Sequence, residues 1–131
     1  MKANLSKKTA FLYCIDSDKA AVIEKVFAPM GISVKAVGED EYHKPLSALV
    51  FGIGKAAEPA ERADTIDEPM MILHGLDRNL LDKAVTALRK NDVIIPLKAI
   101  TTPTNLSWSS VKVFQNLKEE HEAFKKGLNQ Q

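Results

Sequence analysis

The chain has one cysteine, Cys14, among 131 residues, so it can form no internal disulfide framework and has no second thiol at the spacing of a redox pair or metal clip. That usage fits a reducing compartment, and a cytoplasmic location is expected. An excess of charge is missing too. Lys and Arg number 18 and Asp and Glu 17, a net charge of +1, far from the concentrated positive field of a phosphate-backbone binder, and nucleic acid is not an expected partner. No apolar stretch approaches the ~20 residues that a membrane-spanning helix requires, so no membrane partner is expected. Lys2, Lys7 and Lys8 precede an apolar run, but it stops at Asp16, too short for a secretory segment, and no signal peptide is expected. His43, His74 and His121 lie far apart with no acidic or cysteine ligand at regular spacing, so neither a metal nor a cofactor is expected. Gly52-Ile53-Gly54-Lys55 lacks the long glycine-spaced loop of a phosphate-binding motif and the Ser or Thr after its Lys.

What is present is repetition. Val34-Lys35-Ala36-Val37 returns as Leu97-Lys98-Ala99-Ile100, and Val50-Phe51 returns as Val113-Phe114 at the same offset. The apolar run from Phe11 to Ile15 ending in Asp16 returns as Ile72 to Leu76 ending in Asp77. The chain thus reads as a tandemly duplicated β-α-β-α unit, with pseudo-repeats over 9–54 and 69–128. An acidic connector over 55–68 joins them, holding Ile66 as its only large apolar residue. An apolar fraction of 45% and a charged fraction of 27% are those of an average soluble protein, and a single α/β domain over 1–131 is expected.

The local signals are consistent with this repeat. Thr9 to Ile15 is a continuous apolar strand, and Asp16, Ser17 and Asp18 supply capping chemistry for a helix. That helix carries Val22, Ile23, Val26, Phe27 and Met30 on one face and stops at Gly31. Ile32, Val34 and Ala36 alternate with Ser33 and Lys35, the period of an edge strand. Pro45 opens a short helix to Phe51, and Met70 to Leu73 forms a third strand, apolar on both faces. Leu80, Leu81, Ala84, Val85 and Leu88 mark the buried stripe of a third helix that ends at Asn91-Asp92. Val93 to Ile100 is a fourth strand, placed at an edge by Pro96, and a long last helix carries Val111, Phe114, Leu117, His121, Phe124 and Leu128 on one face.

Strands one and three belong in the middle and two and four outside. Regular alternation predicts an α/β fold with a four-stranded, mainly parallel sheet of order 2-1-3-4 and helices on both faces. Its two central strands would then run the same way. The alternative is an antiparallel ferredoxin-like α+β sheet of order 4-1-3-2 with added helices. In the parallel arrangement the C-terminal ends of strands one and three meet, and Asp16, Ser17, His74, Gly75 and Asp77 converge on a crevice.

These residues and the turn from Thr101 to Trp108 are the candidate site. Thr101, Thr102, Thr104 and Asn105 lead into a helix N-terminus, equipment for a small polar or anionic ligand on which Trp108 could stack. Each has a local role as well: Asp16 and Asp77 as N-caps, Asn105 or Ser107 as a cap, Trp108 as a staple, His74 as a structural histidine. Cys14, inside an apolar run, reads as a buried hydrophobe. A small-molecule or anion-binding regulatory module is therefore the leading expectation, ahead of a protein-interaction or self-assembly module working as a homo-oligomer. An enzyme using Cys14 or His74 comes last.

Over about residues 69–124, the strand Met71-Ile72-Leu73-His74-Gly75, the Leu97-Lys98-Ala99 strand, the Thr102-Pro103-Thr104-Asn105 turn with Trp108, and the Glu120-His121 helix together resemble a bacterial domain family of unknown function. The resemblance implies no activity, substrate or catalytic residue. In the first half, Gly38-Glu39-Asp40-Glu41 stands where the second half has this turn, so any site built on the turn is one-sided.

Overall fold

A computed structural model describes residues 8–51 and 65–129. The first strand, β1 (Thr9–Tyr13), leads into helix α1 (Ser17–Phe27), whose N-cap Asp16 accepts a hydrogen bond from the Lys19 amide. A single 3-10 turn, Ala28–Met30, then tightens the helix end, and Gly31 at φ 75° provides the left-handed residue that lets the chain reverse into β2 (Ser33–Ala36). Beyond β2 a turn at Glu39–Glu41 leads to the short helix α2 (Leu46–Phe51). The second half runs through β3 (Met70–His74), α3 (Arg78–Lys90, N-cap Asp77), β4 (Leu97–Ile100), a 3-10 turn at Asn105–Ser107 and α4 (Ser110–Asn129). The fourth strand starts later than the sequence predicts because Pro96 cannot donate to a ladder. Residues 52–54 of the first repeat and 55–64 of the acidic connector lie outside the described residues. Ile66 is buried.

The fold is α/β, with one sheet of order β2-β1-β3-β4 that is mainly parallel: β1 pairs with β2 and β3 with β4 in parallel. One expectation fails at the centre. β1 and β3 are antiparallel, with Thr9 opposite His74 and Tyr13 opposite Met70. The sheet therefore takes the strand order of the parallel arrangement and the central direction of the ferredoxin-like one. The physical reason is that the alternation of β3 does not encode its direction: Met70 and Ile72 reach one core layer and Met71 and Leu73 the other whichever way the strand runs, and the pairing with β1 sets the sense. The chain enters β3 from the end of the sheet where β2 finishes.

Both β-α-β units place their helices on the same face. There Ala10, Leu12, Met71 and Leu73 of the central strands meet Ile23 and Phe27 of α1 and Ala84 and Leu88 of α3. The opposite face is covered by α2 and α4, where Phe11, Tyr13, Met70 and Ile72 pack against Leu46, Leu49, Val111 and Phe114. Strict alternation along β1 and β3 thus feeds two core layers, as expected of strands buried on both sides.

The α2/α4 layer contains a buried polar pair. The Tyr13 hydroxyl and Ser110 Oγ lie 2.7 Å apart, both fully buried, and tie the start of α4 to the sheet. Burial raises the Tyr13 phenol well above the ordinary tyrosine range, so it stays neutral as a hydrogen-bond partner. Removing either hydroxyl orphans the other. Tyr13→Phe and Ser110→Ala are each expected to cost about 1–3 kcal/mol in urea unfolding, and the double variant less than their sum, a sub-additivity that reports direct coupling.

Candidate functional site

The antiparallel centre separates the predicted site residues. Asp16 and Ser17 follow β1 at one edge of the sheet, while His74 and Gly75 end β3 at the opposite edge. The crevice that was to join them does not form. What the structure does bring together is His74 with the turn after β4, because β3 and β4 end side by side. His74 Nδ1 is 2.7 Å from Thr101 Oγ1, and the Phe51 ring meets the imidazole edge-on at 6.1 Å. Gly75, at φ 85°, turns the chain away toward α3.

Polar groups in the Thr101–Trp108 turn are largely engaged with one another. Asn105 Oδ1 accepts from the Thr102 amide at 2.8 Å, while Thr102 Oγ1 accepts from the Asn105 amide at 3.0 Å. This reciprocal pair has the geometry of a capping box, one residue's side chain serving the other's backbone. Asn105 Nδ2 also donates to the Ile100 carbonyl, covering the outer edge of β4. Thr104 is exposed, and its carbonyl accepts from Ser107 Oγ. Trp108 is half-buried against the α2/α4 layer; its carbonyl accepts from the Leu46 amide, and Lys112 Nζ lies 4.5 Å from its ring centre.

At the other edge Cys14 departs from its predicted burial. It is exposed, with φ 56°, because the chain must swing from the end of β1 toward the Asp16 cap. Its Sγ donates to the Ile66 carbonyl at 3.0 Å and lies 3.7 Å from the Tyr42 hydroxyl. Burial, followed by the contact with Cys14, pushes the Tyr42 phenol above its usual range. Among the described residues no cluster of His, Cys, Asp and Glu could hold a metal ion, and no helix is long and apolar enough to cross a membrane.

A further concavity lies elsewhere. A groove of about 580 Å³ runs between α3 and the outer strand β4, within the usual size of a small-molecule site. Its apolar lining comes from Leu73, Leu81, Val85 and Ile100, and its polar groups are Asp82, Thr86, Arg89 and Lys98. A smaller hollow of about 250 Å³ lined by Val93, Ile95 and Pro96 shares Val85, Arg89 and Lys98 with it. The groove exists because the apolar stripe of α3 is wider than the sheet beneath it: Ala84 and Leu88 are buried, whereas Leu81 and Val85 are only half-covered. Ile100, 45% exposed, stands on the same side of β4 as Lys98 and lines the groove.

Two cations share one end. Lys98 Nζ donates to the Ile95 carbonyl at 2.6 Å, leaving two of its three donors available. Desolvation, with the Arg89 guanidinium as the second cause, holds its ammonium below the usual lysine range. The ion pairs among the described residues, Lys44 with Glu41 and Lys118 with Glu68 and Glu122, involve neither cation. None of the groove residues was a predicted site residue. The signals available were the surplus width of the α3 stripe and the presence of Lys98 and Ile100 on one face of an edge strand.

Residues 69–124 match the family described as Domain of unknown function (DUF3783), a stretch that contains β3, α3, β4 and most of α4. The whole groove lies inside that segment. No curated protein and no solved structure matches the chain.

Two outcomes follow from this geometry. Asn105→Ala removes the two hydrogen bonds of the Asn105 side chain and is expected to lower stability by about 1–2 kcal/mol in thermal or urea unfolding, the usual cost of a lost cap. Cys14 is expected to react with iodoacetamide in the native protein, detected as a single mass adduct; protection until denaturant is added would contradict its exposure.

Proposed function

We propose that the protein is a small-molecule binding module whose ligand is an organic anion with an apolar body, held in the groove between α3 and β4. The observation carrying this reading is the pairing of Arg89 with a desolvated Lys98 beside an apolar floor, with no carboxylate in ion-pair reach among the described residues. Like charges held near one another, one of them partly desolvated, cost free energy that an anion between them would recover. The reading keeps the ligand class the sequence suggests and moves the site from the Thr101–Asn105 turn, whose polar groups serve one another, to the neighbouring face of β4.

A second reading, pairing between copies of the chain, draws support from the exposure of Ile94 at 73% and Ile100 at 45% beside the groove. It requires a dimer at micromolar concentration in sedimentation velocity.

Ligand binding is expected to appear as a rise in melting temperature with a panel of organic acids, since a ligand at a hundred times its Kd adds about 2.7 kcal/mol. Arg89→Gln and Lys98→Gln should each reduce the rise, and chloride or sulfate at equal ionic strength should not reproduce it. Anion affinity should fall as pH rises through the titration of Lys98, because the bound anion needs the charged ammonium. The ligand-free protein should show the opposite sign. Its Lys98 binds a proton less tightly folded than unfolded, so stability rises with pH over the interval between the lowered value and the ordinary 10.5, and Lys98→Gln should remove that slope. A panel without any thermal shift would refute the reading.

A further inference from the structure

Resting on that reading of the groove, we infer that its ligand is an aliphatic monocarboxylate, with the head at Arg89 and Lys98 and the chain lying along Val85, Leu81, Leu73 and Ile100. The groove is polarised along its length. Because β3 and β4 are parallel and α3 joins them, α3 runs opposite to β4. Arg89, in the last turn of α3, therefore sits by Lys98 near the start of β4, while Leu81, in the first turns, sits by Ile100 at its end. At ~1.5 Å per residue the distance along α3 from Arg89 to Leu81 is about 12 Å, room for an extended chain and more than a compact anion needs.

The head end suits a carboxylate better than a phosphate. A guanidinium fork and a lysine ammonium match two carboxylate oxygens. Phosphate sites typically add backbone amides at a helix N-terminus, whereas the helix end facing this head is a C-terminus, whose carbonyls disfavour negative charge and so a phosphate dianion more than a carboxylate.

The body end is aliphatic throughout. Leu73, Leu81, Val85 and Ile100 offer no aromatic face among the described residues, so a planar ring gains no stacking partner here. Asp82 stands on the rim at this end, where its carboxylate repels a second acid group on the ligand. The groove thereby distinguishes one carboxylate from two.

The test is amide chemical-shift mapping of the full chain with octanoate below its micelle concentration, beside octanedioate, octyl phosphate, octylamine and 2-naphthoate. Saturable shifts at Leu81, Val85, Lys98 and Ile100 are expected with octanoate, with at least about ten-fold weaker binding of octanedioate and no saturation with octylamine. Arg89→Gln, at an exposed position, should weaken octanoate roughly ten-fold, the effect of one lost charge-assisted hydrogen bond. Val85→Trp, at a half-covered position, should fill the groove and abolish binding while amide dispersion is kept.

Shifts with 2-naphthoate or octyl phosphate and none with octanoate would overturn the ligand class and leave the anion site standing. No groove shifts with any anion would overturn both, as would octanoate shifts confined to the α2/α4 face. A dimer that Arg89→Glu dissociates, with the groove amides buried in it, would assign the groove to a second copy and overturn the inference.

Discussion

The antiparallel pairing of β1 with β3 is the constraint on which the rest of the arrangement depends. Each β-α-β unit is internally parallel, and neither buries both faces of its inner strand alone. Joining them through an antiparallel seam places Phe11 beside Ile72 at the centre and brings α1 and α3 onto one face. It also decides which strand ends are neighbours. Asp16 and His74 are sent to opposite edges, while His74 and Thr101 are brought within hydrogen-bond distance. A same-direction centre would have produced a different molecule from the same elements.

The two edges of the sheet take different characters from that seam. Beyond β1 an exposed thiol in a left-handed conformation leans on the Ile66 carbonyl and the Tyr42 phenol. Beyond β4 the chain folds back on itself through Thr102 and Asn105, whose amide also covers the outer edge of the strand at Ile100. That turn is the most distinctive stretch of the sequence. In the structure its residues satisfy one another and protect an edge, both of which favour a single well-paired sheet. Polar richness in a loop is therefore a weak guide to ligands where the polar groups are within reach of each other.

Much of the fold was legible because its signals are local. Capping by Asp16 and Asp77, the stop at Gly31, the alternation along Val34 to Ala36 and the effect of Pro96 each depend on a few consecutive residues. The placing of β1 and β3 inside and of β2 and β4 outside followed from which strands are apolar on both faces. The crevice is not decided by the sequence because direction is not a local property: Met70 to His74 has the same alternation read from either end. The exposure of Cys14 is hidden for a related reason, since an apolar neighbourhood in sequence does not reveal that the strand ends at Tyr13 and the backbone turns outward. Leu81 and Val85 were assigned to the core because helical periodicity reports which residues share a face and not how much of that face the neighbouring elements cover.

Periodicity and capping chemistry alone were enough to establish the elements, their number and order, and the separation of inner strands from outer ones, since each rests on the covalent neighbourhood of a few side chains. Only packing in three dimensions set the opposed direction of the two inner strands, the distance between their ends, and the uncovered strip between α3 and β4 where Arg89 and Lys98 meet. Those features arise from long-range pairing, and residues far apart in the chain acquire a shared environment only when the sheet closes around them.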